Sequence, residues 1–164
     1  MPHFYEYLEF NRDEDREHQL YVYVGVQLEA DTIAKIKALK TASEWLIMAE
    51  PYCPDCVEVV AYFQRISQLN PAINVKYVAH KDNTQRHYFD SDRQQQAVIA
   101  VEKIPAIFNI SSAETELVLA EFPAFLKAEM AEHPMQFDAL KADFRMGKFG
   151  KQLEAELVEI LRVS

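Results

Sequence analysis

Glycine is scarce, with three residues in 164. Glycine-rich phosphate loops and collagen-like repeats both need more, so neither is expected. Cysteine is scarcer still, at two residues, too few for a disulfide framework. Basic charge is also short. Seventeen Lys and Arg face 26 Asp and Glu, for a formal net charge of −9. The field of such a chain repels nucleic acid and anionic membrane surfaces, and no partner of either kind is expected. No apolar run approaches the roughly 20 residues of a membrane span. The opening Met1-Pro2-His3-Phe4-Tyr5-Glu6 lacks the basic and apolar regions of a secretory leader. The expected location is the cytoplasm, where thiols stay reduced.

What is present is a globular composition, 49% apolar, in a length that suits one domain. No internal repeat, low-complexity tract or Gly/Ser linker divides it. Residues 1–20 are acidic, and Asp13-Glu14-Asp15 reads as a solvated loop. Tyr21–Leu28 is β-branched and aromatic and reads as a strand. Asp31 reads as a helix N-cap, with Ile33, Ile36 and Leu39 following at helical spacing. Trp45–Ala49 is apolar without alternation, which suits a strand covered on both faces. Pro54–Leu69 reads as a helix, with Pro54 in its first turn. Its Val57, Val59, Val60, Ala61, Phe63 and Ile66 leave almost no polar face, so it should be largely buried.

Asn70-Pro71 stops that helix, and Ile73–Val78 is a second strand. Lys81–Asp92 is polar and reads as loop, and Arg93–Val101 as a helix with Ala97, Val98 and Val101 inward. Ala106–Ile110 and Glu116–Ala120 read as strands around a Ser111-Ser112-Ala113 turn, and Pro123–Glu132 as a helix. From residue 44 the order is β-α-β-α-β-β-α. That order implies a parallel crossover unit followed by an antiparallel edge. Near the end, Phe149, Leu153, Leu157, Ile160 and Leu161 form one apolar stripe after Gly147 and Gly150. It reads as a final amphipathic helix packed on the domain, with an oligomer contact as the alternative. Oligomeric state stays open.

The two cysteines form one C-x-x-C, Cys53-Pro54-Asp55-Cys56, where the apolar strand turns into the apolar helix. A sulfur at Cys53 can face the unpaired N–H groups of the helix's first turn, which favour its thiolate. Cys56, three residues on, can then attack a mixed disulfide formed at Cys53. The negative charge of Asp55 opposes a nearby thiolate, so Cys53 should be less acidic than with a neutral residue at 55. A metal site is the competing reading. Structural zinc wants four ligands, and His3, His18, His80, His87 and His133 show no suitable spacing. A dimer sharing two C-x-x-C pairs stays open, but no metal and no organic cofactor is expected.

Glu44-Trp45-Leu46-Ile47-Met48-Ala49-Glu50-Pro51-Tyr52-Cys53-Pro54-Asp55-Cys56 resembles the active-site strand and turn of the thioredoxin superfamily, in which an aromatic residue precedes C-x-x-C. Lys103-Ile104-Pro105-Ala106-Ile107-Phe108 resembles that superfamily's other hallmark, an apolar residue and a cis-proline opening a strand. The C-P-D-C and the tail Phe144-Arg145-Met146-Gly147-Lys148-Phe149 resemble a bacterial thioredoxin-like subfamily with W-C-x-D-C/A motifs. C-P-D-C also resembles the motif of a small eukaryotic thioredoxin-related disulfide reductase.

The resemblance covers about residues 30–132. It implies an α/β three-layer sandwich, a mixed central sheet with helices on both faces. Residues 1–164 would form one thioredoxin-like domain, with an N-terminal extension over 1–29 and a C-terminal helical extension over 133–164. Cys53 would be the exposed attacking thiol and Cys56 the buried resolving one. Tyr52, Pro54, Ile104 and Pro105 would meet the substrate, and Asp55 and Glu50 would modulate the pair.

Two departures stand out. Tyr52 replaces the usual Trp, and Ile47 stands where the family carries a buried Asp. Glu50 is the nearest substitute for that carboxyl, though a loop carboxylate is ordinarily solvated. The implied activity is thiol–disulfide exchange as a cytosolic disulfide reductase. Its substrate would be a protein or small disulfide, and an external thiol reductant or reductase would regenerate it. The alternative is a binding module or redox switch without turnover.

Overall fold

The computed structural model describes residues 2–80 and 103–163, and the backbone of 86–89 and 96–99. The chain opens with helices α1 (Phe4–Tyr7), α2 (Asp13–Gly25) and α3 (Ala30–Lys37), then β1 (Ser43–Met48), α4 (Val57–Ser67) and β2 (Ile73–Val78). Strands β3 (Arg86–Phe89), β4 (Gln96–Ile99), β5 (Ala106–Asn109) and β6 (Glu116–Ala120) follow. Helix α5 (Ala124–Glu132), a 3-10 turn over Pro134–Gln136, α6 (Phe137–Arg145) and α7 (Gly150–Arg162) complete it. Among the described residues no helix is long and apolar enough to cross a membrane.

Four strands form a mixed sheet in the order β2-β1-β5-β6. β1 runs parallel to β2 and antiparallel to β5, and β6 returns antiparallel to β5. The strand residues alternate between two cores. Trp45, Ile47, Val75, Tyr77 and Ile107 pack with Val59, Val60, Phe63 and Ile66 of α4 and with buried side chains of α1, α3, α5, α6 and α7. Leu46, Met48, Val78, Ala106 and Phe108 form a second cluster. β1 is therefore buried along nearly its whole length, as its unbroken apolar run requires. The result is the expected α/β architecture around a mixed sheet.

Several local expectations fail. Tyr21–Gly25 belongs to α2, not to a strand, and Asp13-Glu14-Asp15 is that helix's first turn. Three carboxylates at a helix N-terminus complement its dipole, and this outweighs the β-propensity of the residues downstream. Leu20 and Tyr23, at helical spacing, then pack on the core. Asp31 is not the cap of α3. Glu29 holds that position and Asp31 lies in the first turn, ion-paired with Lys35 at 2.9 Å.

Strand Gln96–Ile99 lies inside the expected helix Arg93–Val101, and strand Arg86–Phe89 inside the expected loop Lys81–Asp92. The two strands pair antiparallel. A short segment such as Gln96-Ala97-Val98-Ile99 carries no period that separates helix from strand, and the rest of both segments lies outside the described residues. Gly147 does not open the last helix but ends α6.

Both chain ends pack onto the sheet and α4. The N–H of Tyr77 donates to the carbonyl of Pro2 at 2.8 Å, which ties the start of the chain to β2. The ring of Phe4 meets that of Tyr23 at 4.8 Å, and Tyr7 meets Tyr77 at 4.8 Å. At the other end, Leu153, Leu157, Val158 and Leu161 of α7 are buried. The stripe is therefore core, against α3 and α4. Gly150 allows that approach, since a Cβ there would collide with the Tyr62 hydroxyl.

Candidate active site

β1 ends at Met48, and the chain winds into α4 through three nested backbone bonds. The N–H of Cys53 donates to the carbonyl of Glu50 at 3.0 Å, that of Cys56 to Cys53 at 3.0 Å, and that of Val60 to Cys56 at 2.9 Å. Cys56 is the N-cap of α4. Pro54 lies in the turn ahead of the helix rather than in its first turn, because the helix begins at Val57. Pro54 and Tyr52 are exposed, and Tyr52 retains 55% of its surface.

Both cysteines are free thiols. Cys53 is partly exposed and Cys56 is fully buried. A hydrogen bond with the Cys56 thiol does most to hold the Cys53 thiol below its ordinary pKa. The backbone N–H groups of Asp55 and Cys56 add to this, while burial and the Asp55 carboxylate oppose it. Burial pushes the Cys56 thiol well up, and its bond to Cys53 pushes it the same way. The two sulfurs are thus unequal: one at the surface is eased toward thiolate, and one in the core is held as thiol.

The Cys53 sulfur lies 4.0 Å from the carbonyl oxygen of Ile104, and the Ile104–Pro105 peptide bond is cis. Ile104 is half-buried and Pro105 buried. The structure therefore brings Tyr52, Cys53, Pro54, Asp55, Cys56 and Ile104-Pro105 to one end of the sheet. Ile47 is fully buried in the apolar core.

Glu50 contradicts the reading of a solvated loop carboxylate. It is completely buried, and its Oε1 accepts a hydrogen bond from Asn11 Nδ2 at 3.1 Å. The same Asn11 accepts the Tyr52 N–H on its Oδ1 at 3.0 Å. Beneath the pair lies the Tyr7 phenol, fully buried. Burial first, then Cys56, Tyr77, Cys53 and Glu50, raises it well above its ordinary value. It stays protonated and donates to Gln19 Oε1 at 3.1 Å.

Asp55 is also not alone. Arg145 donates from Nε and Nη2 to its two carboxylate oxygens, at 2.7 and 3.1 Å. Sequence reasoning assigned no role to Asn11, Tyr7 or Arg145. The only local signal is the Phe144–Phe149 stretch, which marks a helix end beside Arg145. Among the described residues no group of three or more His, Cys, Asp or Glu could hold a metal ion.

Two solved structures share this fold. A crystal structure of a protein of unknown function from Pseudomonas aeruginosa is 18% identical, with a TM-score of 0.68, over 98% of this chain and 91% of its own. A crystal structure of an HIV epitope-scaffold is 14% identical, with a TM-score of 0.71, over 99% and 93%. No curated protein matches the chain. The thioredoxin family model matches residues 1–140, from before α1 into α6, and the chain belongs to the thioredoxin family.

Proposed function

We propose that this chain is a thiol–disulfide oxidoreductase acting as a disulfide reductase. The observation that carries the reading is the inequality of the two sulfurs: an accessible Cys53 favoured as thiolate above a buried Cys56 favoured as thiol. The Cys53 thiolate attacks one sulfur of a substrate disulfide. That S–S bond breaks, a mixed disulfide forms, and the leaving sulfur takes up a proton. Cys56 then loses its proton and attacks the Cys53 sulfur, so that the substrate's second sulfur leaves and is protonated in turn. The substrate gains two electrons and the pair becomes the 53–56 disulfide. An external dithiol or reductase returns two electrons and two protons to the pair.

Tyr52 and Pro54, exposed beside Cys53, and the Ile104-Pro105 backbone near its sulfur form the surface against which a substrate segment lies. Glu50 modulates resolution. Its backbone N–H reaches the Cys56 sulfur, and its buried carboxyl, at the start of the same turn, is the group we propose takes the proton that Cys56 gives up. A reductase of this kind belongs in a reducing compartment, the cytoplasm.

The test is turnover of insulin or a small aromatic disulfide with dithiothreitol as donor. Wild type reduces either catalytically, Cys53→Ser does not, and Cys56→Ser accumulates a mixed disulfide at Cys53. Wild-type rates no faster than dithiothreitol alone would refute the reading and leave a binding module.

A further inference from the structure

Arg145 lies 90 positions after Asp55, at the end of α6 and past residue 140, where the family model's match stops. Its direction is fixed from both sides. On one side Phe144 is buried, its ring edge-on to Phe122 at 6.2 Å. On the other the helix is stopped by a Schellman turn. The Lys148 N–H donates to the Asp143 carbonyl at 3.1 Å and the Gly147 N–H to the Phe144 carbonyl at 3.0 Å, with Gly147 at φ +81°. Arg145, in the last helical position, is thereby aimed at the redox turn. Its fork meets both oxygens of Asp55, the geometry in which guanidinium binds carboxylate most firmly. The Asp55 side chain is only 14% exposed, so solvent screens this pair less than a surface one.

The groups acting on the Cys53 sulfur are the Cys56 thiol, the N–H groups of Asp55 and Cys56, and the Asp55 carboxylate. The Tyr7 and Tyr52 phenols nearby are both raised by burial and stay neutral. Glu50 lies on the inner side with Tyr7. The Cys53 sulfur in turn acts on the Arg145 guanidinium, so the two are within electrostatic reach. Within the C-x-x-C the one side-chain charge set against a thiolate is that of Asp55, and the cation on it comes from α6.

We propose that Arg145 is a positioning residue of the redox centre: by gripping both carboxylate oxygens of Asp55 it cancels the negative charge inside the Cys53–Cys56 turn and keeps the Cys53 sulfur a good nucleophile. The proposal rests on the reading of Cys53 as the attacking thiol. It gives the C-terminal extension a part in the chemistry. The pair reads as net neutral to the sulfur while both partners stand, and as a charge of either sign when one is removed.

A purely structural staple and a charge-cancelling one make opposite demands. If the pair only pins the turn, Asp55→Asn and Arg145→Met break the same pin and move Cys53 the same way. If it cancels charge, they move it in opposite directions. The experiment is the rate of iodoacetamide alkylation of the reduced full-length protein against pH, with the adduct assigned to Cys53 by mass spectrometry. Arg145→Met raises the midpoint and Asp55→Asn lowers it, each by about half to one pH unit. The double variant returns close to wild type, and Arg145→Lys falls between wild type and Arg145→Met.

Two single variants shifting in the same direction, or an unmoved midpoint in Arg145→Met, would overturn the proposal. Should Arg145→Met fail to fold by circular dichroism, Arg145→Gln takes its place, since it too leaves the Asp55 charge uncancelled and must raise the midpoint. Titration needs no substrate. A wild type without turnover would sink the reductase reading while leaving these shifts to stand or fall separately.

Discussion

The Asn11 side chain holds the buried Glu50 carboxyl at 3.1 Å with its amide nitrogen and the Tyr52 backbone at 3.0 Å with its amide oxygen. One residue between α1 and α2 thus ties down both the buried carboxyl that opens the cysteine turn and the aromatic residue beside Cys53. Asn11→Ala removes a donor from a fully buried carboxylate, a loss worth about 1–3 kcal/mol. Denaturant unfolding should show a midpoint lowered by that amount with an unchanged slope. Asn11→Asp, close to the same shape but without the donor, should be at least as damaging, because it places a second carboxylate against Glu50.

Glu50→Gln separates the two steps of exchange. The carboxamide keeps the volume and a hydrogen-bonding partner for Asn11 but cannot take up a proton. The first step, attack by Cys53, should proceed near the wild-type rate, while release of the mixed disulfide slows by about tenfold or more. Stopped-flow single turnover with a chromophoric disulfide, run in parallel with trapping of the mixed disulfide, distinguishes the steps. An unchanged second step would remove Glu50 from the mechanism.

The inequality of the sulfurs has its own signature. A thiol held below its ordinary pKa is more fully thiolate at neutral pH, and a buried thiol held above it is inert. In the reduced protein, iodoacetamide should modify Cys53 faster than Cys56 by on the order of a hundredfold. Cys56 should react only when denaturant opens the fold. Equal labelling of both cysteines in the native protein would contradict the burial on which the proposed order of attack depends.

The parts of this site legible in the sequence are those built from neighbouring residues. The run Trp45–Ala49 announces a strand buried on both faces because no position in it tolerates water, and the matching strand covers it. The C-x-x-C announces its own geometry because the backbone hydrogen bonds that turn β1 into α4 join residues 50, 53, 56 and 60, close neighbours in the chain. Glu50 was misread for the opposite reason. A carboxylate among Ala, Pro and Tyr looks solvated, and the Asn11 donor that helps to make its burial affordable comes from 39 positions away. Arg145 was invisible on the same ground, since its partner is 90 positions distant. α2 shows a different failure. Its Tyr-Val-Tyr-Val segment favours strand by local preference, but Tyr23 packs on Phe4 and its ring lies under the Arg65 guanidinium at 5.4 Å, and tertiary contacts of this kind override local preference.

Gly147 tests how precisely α6 must end. It sits at φ +81°, and a Cβ there would lie 3.4 Å from a carboxylate oxygen of Glu58. Gly147→Ala forces an L side chain into the left-handed region, at about 1–2 kcal/mol. It should lower the melting temperature by several degrees. It should also raise the alkylation midpoint of Cys53, because a shifted turn takes Arg145 off Asp55. A variant that loses stability but leaves the midpoint where it was would show that the pair tolerates a looser helix end.

Glu58 makes a contribution to stability that falls as pH rises from about 4.5 to about 7. Burial alone raises its carboxyl from 4.5 to about 7. It faces the Gly147 turn and a cleft lined by Leu20, Tyr21, Val24 and Tyr62. In the unfolded chain the carboxyl gives up its proton near its ordinary value, while in the folded chain it keeps it to about 7. Between these values the folded state binds more protons, so stability declines as pH rises. This group's contribution is fully present below the unfolded value and is lost once pH passes the folded one. Glu58→Gln stays neutral throughout and escapes that decline. With allowance for the part of the side chain that water still reaches, it should be more stable than wild type by about 1–2 kcal/mol above neutral pH. The two should converge at acid pH. Urea unfolding of both proteins across the range reads this directly, and parallel profiles would mean that Glu58 titrates as a surface carboxylate does.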